Sequence, residues 1–199
     1  MDLIETLPPL SRLALAYAPA SVRARWLTLL ALDARLSGVV RQAREPLLGQ
    51  MKLAWWRDRL GDEAVNWPKG EPLLASLSCW QGEHSVLIGL VDGWEAVLTE
   101  SSLCALGEGR AAACLALAQG EAVARMAQGW GLGDVAGFAQ DREGLAKALS
   151  AQDWSGGRLP RALRPLVVLH GIAARQAKDP TKSQNIAMLT LMRLGLFGF

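Results

Sequence analysis

The sequence predicts an all-α protein, a single helical bundle over residues 1–199, and three observations predict it. Ala and Leu dominate while β-branched residues are thin, which favours helix. No stretch alternates apolar and polar residues with period two for long, so nothing reads as a strand. Proline and glycine recur at helix-length intervals, with no repeat and no linker long enough to divide domains.

The elements follow in order. Pro19 and Ser21 open a helix that runs to about Gln42, and Pro46, at a first-turn position, opens the next, ending near Gly61. "NWPKGEP" (66–72) reads as a loop and 72–80 as a short helix. A helix over 85–99 precedes the entry "SSLCALGEG", and a longer one covers 108–129. "GWGLGD" (129–134) and "SGGRLP" (155–160) are expected bends because glycine disfavours helix interiors. A helix over 160–177, a turn at 178–183 and a last helix over 184–196 complete the chain.

Composition excludes several classes. A chain of 199 residues, 51% hydrophobic and 20% charged, is globular and long enough to bury its own core. Its formal charge of +2 implies no nucleic-acid partner. Eight tryptophans against one Tyr and three Phe suggest wide hydrophobic surfaces between helices, or an apolar cavity. Cysteines 79, 104 and 114 are odd in number and form no CxxC pair, so they read as reduced core residues of a cytosolic protein. His84 and His170 are too few and too far apart for a zinc motif. "MDLIETLPPL" has acids where a secretory segment needs positive charge, and no apolar run approaches a bilayer span. A cytoplasmic protein, or one lying peripherally on the inner face of a membrane, is expected.

Two helices carry the candidate residues. Projected at about 100° per residue, Val22, Trp26, Leu29, Leu36 and Val40 gather on one stripe. Asp33 lands in its middle and Ser37 one turn on, near its edge. A lone buried carboxylate is expensive, so Asp33 either points into a polar cavity or pairs with an arginine. In the next helix Leu47, Leu48, Met51, Ala54 and Trp55 form one face, with Asp58 on it. Leu53, Trp56 and Leu60 form a second, while Gln50 and Arg57 share the remaining flank. A helix apolar on two sides is expected between neighbours, either joining two layers or lining a pocket.

The segment "LLALDARLSGVVRQAREPLLGQMKLAWWRDRL" (29–60) resembles the N-terminal signature of squalene/phytoene synthase-like proteins, most closely from Arg44 to Leu60. Looser similarity continues at "GLVDGWEAVL" (89–98), "GRLPRALRPLVVL" (157–169) and "LMRLGLFGF". The resemblance implies a shortened isoprenoid-synthase fold around a central cavity. It also implies two DxxxD motifs holding Mg²⁺ against a diphosphate, and here the chain departs. The first motif should occupy 37–41, where Ser37, Gly38 and Arg41 stand. For the second, the nearest acids are Asp134, Asp141 and Glu143, without DxxxD spacing and among helix-weakening glycines.

No catalytic residue, metal ligand or cofactor is therefore expected. The chain is similar to the non-enzymatic branch related to an assembly factor of the mitochondrial respiratory NADH dehydrogenase. That implies a pseudoenzyme that binds an unknown protein partner or a prenyl or other lipid ligand. Asp33, Ser37, Gln50, Met51, Trp55 and Asp58 are the candidate cavity-lining residues. Arg41, Arg44 and Lys52 either bind a phosphate directly or face solvent as ordinary surface cations. A working head-to-head prenyltransferase with remodelled ligands is the alternative; it would need Mg²⁺ and would bring Asp33, Asp58 and Asp134 to one cavity. A third reading is a peripheral-membrane lipid module. Its motive is the apolar tail 184–199, which lies in a membrane interface or docks across the bundle.

Overall fold

A computed structural model describes residues 3–178. About 75% of the described residues are helical, and they contain no strand. In order the helices are α1 (Leu3–Thr6), α2 (Pro9–Ala16), α3 (Ala20–Gln42), α4 (Pro46–Gly61), α5 (Pro72–Ser76), α6 (Ile88–Thr99), α7 (Ala105–Leu115), α8 (Val123–Val135), α9 (Arg142–Ala151) and α10 (Arg164–Lys178). Short 3-10 turns join α5 to α6 and lead into α10.

The helices pack in series, α4 on α6, α6 on α7, α7 on α8, α8 on α10 and α10 on α2, and α3 touches both ends of the series. The 23-residue α3 contacts α1, α2, α4, α5 and α6, and its stripe from Trp26 through Leu29 and Leu36 to Val40 is buried. Indole N–H groups tie this helix to distant chain. Trp26 Nε1 donates to the Ala162 carbonyl at 2.7 Å, and Trp80 Nε1 donates to Thr28 Oγ1 at 2.9 Å. A buried indole needs an acceptor, so each tryptophan fixes position as well as filling volume.

The α3 and α4 bounds expected from Pro19, Pro46 and Gly61 match within a residue. Three expectations need correction. The single helix over 108–129 is two helices, α7 and α8, broken around Gly120. "GWGLGD" is no bend but the C-terminal half of α8. Here glycine serves close approach: a Cβ on Gly131 would lie 2.7 Å from the Gly107 nitrogen, and one on Gly133 2.7 Å from the Ala173 Cβ. Removing the side chain lets α8 sit against α7 and α10 at backbone distance, and that packing outweighs the propensity penalty. Thirdly, α4 is not packed on both sides. It buries Gly49, Leu53, Trp56 and Leu60, while Leu47, Leu48, Met51 and Trp55 are exposed.

Helices α1, α2 and α9 were not expected. Proline at the start of α2 reads as an interruption in sequence, yet it occupies a first-turn position that suits it. The three cysteines are free; Cys114 is buried and Cys79 half-buried, but Cys104 is exposed and so is no core residue. No described helix is long and apolar enough to cross a membrane. The turn at 178–183 falls almost wholly, and the tail 184–199 entirely, outside the described residues.

Candidate functional site

A cleft of about 560 Å³ opens between α2, α3, α8 and α10, with Trp94 of α6 at its back. The α3 register places Asp33, Ser37 and Arg41, one turn apart, along one wall. Trp130, Gly133 and Asp134 of α8 face them, and Phe138, Leu169 and Ile172 supply apolar surface.

Beneath this cleft lies Arg110 of α7, whose side chain is wholly inaccessible. Its Nη2 donates to Asp33 Oδ2 at 2.7 Å and to Asp134 Oδ2 at 2.6 Å. Nε donates to Asp33 Oδ1 at 3.3 Å, and Nη1 to the Trp130 carbonyl at 3.1 Å. The guanidinium lies 3.8 Å from the centre of the Trp130 ring. Planar, permanently charged and carrying five donors, arginine is the side chain suited to such a position. Trp94 Nε1 adds a third hydrogen bond to Asp33, at 2.9 Å on Oδ1.

Burial pushes the Asp33 carboxyl above its ordinary value; the charge of Arg110 opposes that shift and the neighbouring Asp134 adds to it. Two carboxylates share one buried guanidinium, which leaves the floor of the cleft acidic. At the rim Arg41 Nη2 donates to Ser37 Oγ at 3.4 Å, and its guanidinium lies 5.2 Å from the Phe138 ring centre. Both sequence readings of Asp33 therefore hold together: it pairs with an arginine and it lines a cavity.

Of the candidate cavity residues, Asp33 and Ser37 line the cleft. Gln50, Met51, Trp55 and Asp58 do not; all four belong to α4, where Gln50 is half-buried and the others are exposed. Trp55 meets Trp56 edge-on at 5.0 Å, yet the first faces solvent and the second the core. Nor do Arg41, Arg44 and Lys52 converge. Arg41 stands at the cleft, Lys52 lines a separate groove on a different face of α3 with Arg35 and Gly38, and Arg44 lines neither. Asp134 does reach Asp33 through Arg110, whereas Asp141 caps α9 by accepting from the Gly144 N–H at 2.9 Å.

Arg110, Trp94, Trp130 and Phe138 were missed in sequence. For Arg110 a signal existed: it precedes the uncharged run "AAACLALA", where a lone cation must find a buried partner. Nothing local announces that its partners are 77 and 24 positions away.

The donor set does not fit Mg²⁺. The facing oxygens of Asp33 and Asp134 are already taken by one nitrogen, and a divalent ion placed between them would meet a fixed positive charge. Among the described residues no group of three or more His, Cys, Asp or Glu gathers in a way that could hold a metal. Comparison of the chain with protein-family models, with curated proteins and with solved structures finds no match.

Proposed function

We propose that this chain is a squalene/phytoene synthase-like protein that has given up metal-dependent prenyl diphosphate chemistry and acts by binding a lipid or a protein partner. Assembly of a respiratory complex is the process its resemblance suggests, and a shortened isoprenoid-synthase bundle is the fold. One observation carries the reading: the guanidinium of Arg110 stands between the two carboxylates that α3 and α8 offer to the cleft. An internal cation has the place where a metal-bound diphosphate would need an external one.

The walls favour an amphiphile among the ligands. Aromatic and aliphatic side chains line the cleft, and Arg41 with Ser37 sits at its mouth to meet an anionic head. Purified protein is expected to release no diphosphate from farnesyl or geranylgeranyl diphosphate with Mg²⁺ above the metal-free blank. Farnesyl monophosphate is expected to quench the indole fluorescence of Trp94 and Trp130 saturably. Arg41→Glu weakens that titration about tenfold or more, as loss of a charge-assisted hydrogen bond predicts. Metal-dependent turnover overturns the reading.

A second reading has one observation in its favour, since Asp33 and Asp134 do meet at the cleft. It is an active prenyl-transferring enzyme with remodelled ligands. It required Asp58 as well, and Asp58 is exposed on α4 and does not line the cleft. The same turnover assay decides between the two.

A further inference from the structure

A second groove, of about 380 Å³, runs along another face of α3 and, among the described residues, shares only Ala34 with the cleft. Helices α1, α4 and α5 complete it with Leu3, Lys52 and Leu73. The two hollows differ in charge. Asp33 and Asp134 line the cleft, whereas no described residue lining the groove is acidic. Arg35 and Gln42 of α3 and Lys52 of α4 supply its polar groups, with Thr6, whose hydroxyl already donates to the Leu3 carbonyl at 2.7 Å.

Both cations keep donors to spare. Lys52 has no ion-pair or hydrogen-bond partner among the described residues, unlike Arg57 and Arg59 on the same helix. Arg35 approaches Glu71 Oε1 only to 3.7 Å, beyond hydrogen-bond distance. That same oxygen caps α5, accepting from the Leu73 N–H at 3.3 Å. A guanidinium and an ammonium from two helices, with no carboxylate lining the space they share, create a positive potential that attracts an anion.

Gly38 is a separate sign. It lies mid-helix in the 23-residue α3, where glycine weakens the helix, and its φ is not positive. Nor does close packing require it, since a Cβ there would meet nothing within 4 Å. What the missing side chain does is leave the groove open beside Arg35 and Gln42.

We propose that this groove binds a phosphate monoester, its head held by Arg35 and Lys52 and its organic part against Leu3, Val39 and Leu73. A phosphate monoester carries nearly two negative charges at neutral pH, which matches two cations where a carboxylate would match one. The guanidinium fork takes two phosphate oxygens side by side, and the ammonium takes a third. A free ester and the headgroup of phosphatidic acid present the same chemistry. The site is independent of the reading given for the cleft.

Two-dimensional NMR of the full chain titrated with phenyl phosphate tests this. The amides of Gly38, Gln42 and Lys52 are expected to shift saturably, and benzoate, with its single charge, to bind more weakly. Lys52→Glu and Arg35→Gln each weaken binding about tenfold, as loss of a charge-assisted hydrogen bond predicts. Gly38→Leu keeps both cations but fills the groove, so it abolishes binding. Its helix content by circular dichroism is retained, because leucine favours helix over glycine. Flotation with phosphatidylcholine vesicles, with and without phosphatidic acid, separates the two sources. Flotation that needs both phosphatidic acid and Lys52 assigns the headgroup, and phenyl phosphate binding without it assigns a free ester. A chain that neither responds to phenyl phosphate nor floats overturns the proposal. So does binding that survives Lys52→Glu or Gly38→Leu, benzoate binding as tight as that of phenyl phosphate, or loss of binding in Arg41→Glu instead, which would put the anion in the cleft.

Discussion

Arg110 and Asp33 form a buried ion pair across 77 positions of chain, 2.7 Å from Nη2 to Oδ2, with a second contact through Nε. The pair joins α7 to α3 beneath the cleft, and Asp134 extends it to α8. Three helices therefore meet at one guanidinium, and fold and candidate site depend on the same side chain.

Replacing Arg110 by Met keeps the volume and removes the charge. Asp33 is left buried with its main counter-charge gone, and breaking a buried pair from one side costs about 3–5 kcal/mol. The urea midpoint should fall accordingly, with a drop in Tm of roughly 2–4 °C per kcal/mol for a chain of this size. Adding Asp33→Asn should recover part of the loss, because the stranded charge goes with it. An Arg110→Met protein as stable as the wild type would show that the pair contributes nothing net.

Two glycines give opposite outcomes on the same substitution. At Gly38 a Cβ meets nothing within 4 Å and the residue is mid-helix in α3, so Gly38→Ala should stabilise by about 0.5–1 kcal/mol. At Gly131 the added Cβ meets the Gly107 nitrogen at 2.7 Å and Cα at 2.8 Å, backbone that has no flexible end to yield. Gly131→Ala should therefore destabilise by about 1–3 kcal/mol, overpacking outweighing the gain in helix propensity. Urea unfolding of both variants measures the pair.

His170 makes stability depend on pH. Burial pushes its imidazole below the ordinary 6.5, against the pull of the Trp154 and Met126 carbonyls at its ring nitrogens. The unfolded chain then takes up the proton first, so the stability that neutral His170 contributes is present above 6.5 and is lost as pH falls below it. The urea midpoint of the wild type should fall between about pH 7.5 and about pH 5.5 more steeply than that of His170→Gln. Equal slopes would remove His170 as the cause.

The thiols should separate cleanly. Cys104 is exposed, whereas Cys114 is buried beside Arg110 and burial pushes its thiol up to about 12. At neutral pH a maleimide should label Cys104 first and leave Cys114 untouched until the protein unfolds. Peptide mapping after timed labelling reads the order. Fast labelling at Cys114 in the folded state would mean that the α3–α7–α8 junction opens.

Much of the helical layout was legible. Pro19, Pro46 and Gly61 punctuate α3 and α4 by rules that operate within a few residues, so those bounds could be read locally. The same local rules misread 129–134, because the glycines of α8 answer to Gly107 and Ala173 on other helices. Periodicity likewise put Asp33 on a buried stripe and Trp55 on an apolar face, and both placements were right as geometry. What lay opposite each of them was not readable.

By itself, then, the sequence determined an all-α chain, the register of α3 and α4, and the presence of a carboxylate that had to be paired. Helix formation, capping by proline and the period of apolar residues are short-range effects carried by neighbouring side chains. Only the tertiary structure decided that Asp33 meets Arg110 and Asp134, and that the face of α4 bearing Met51 is left uncovered by the other described helices. Those outcomes depend on which helices pack together, and a buried charge takes its partner from whichever helix the packing brings within hydrogen-bond reach.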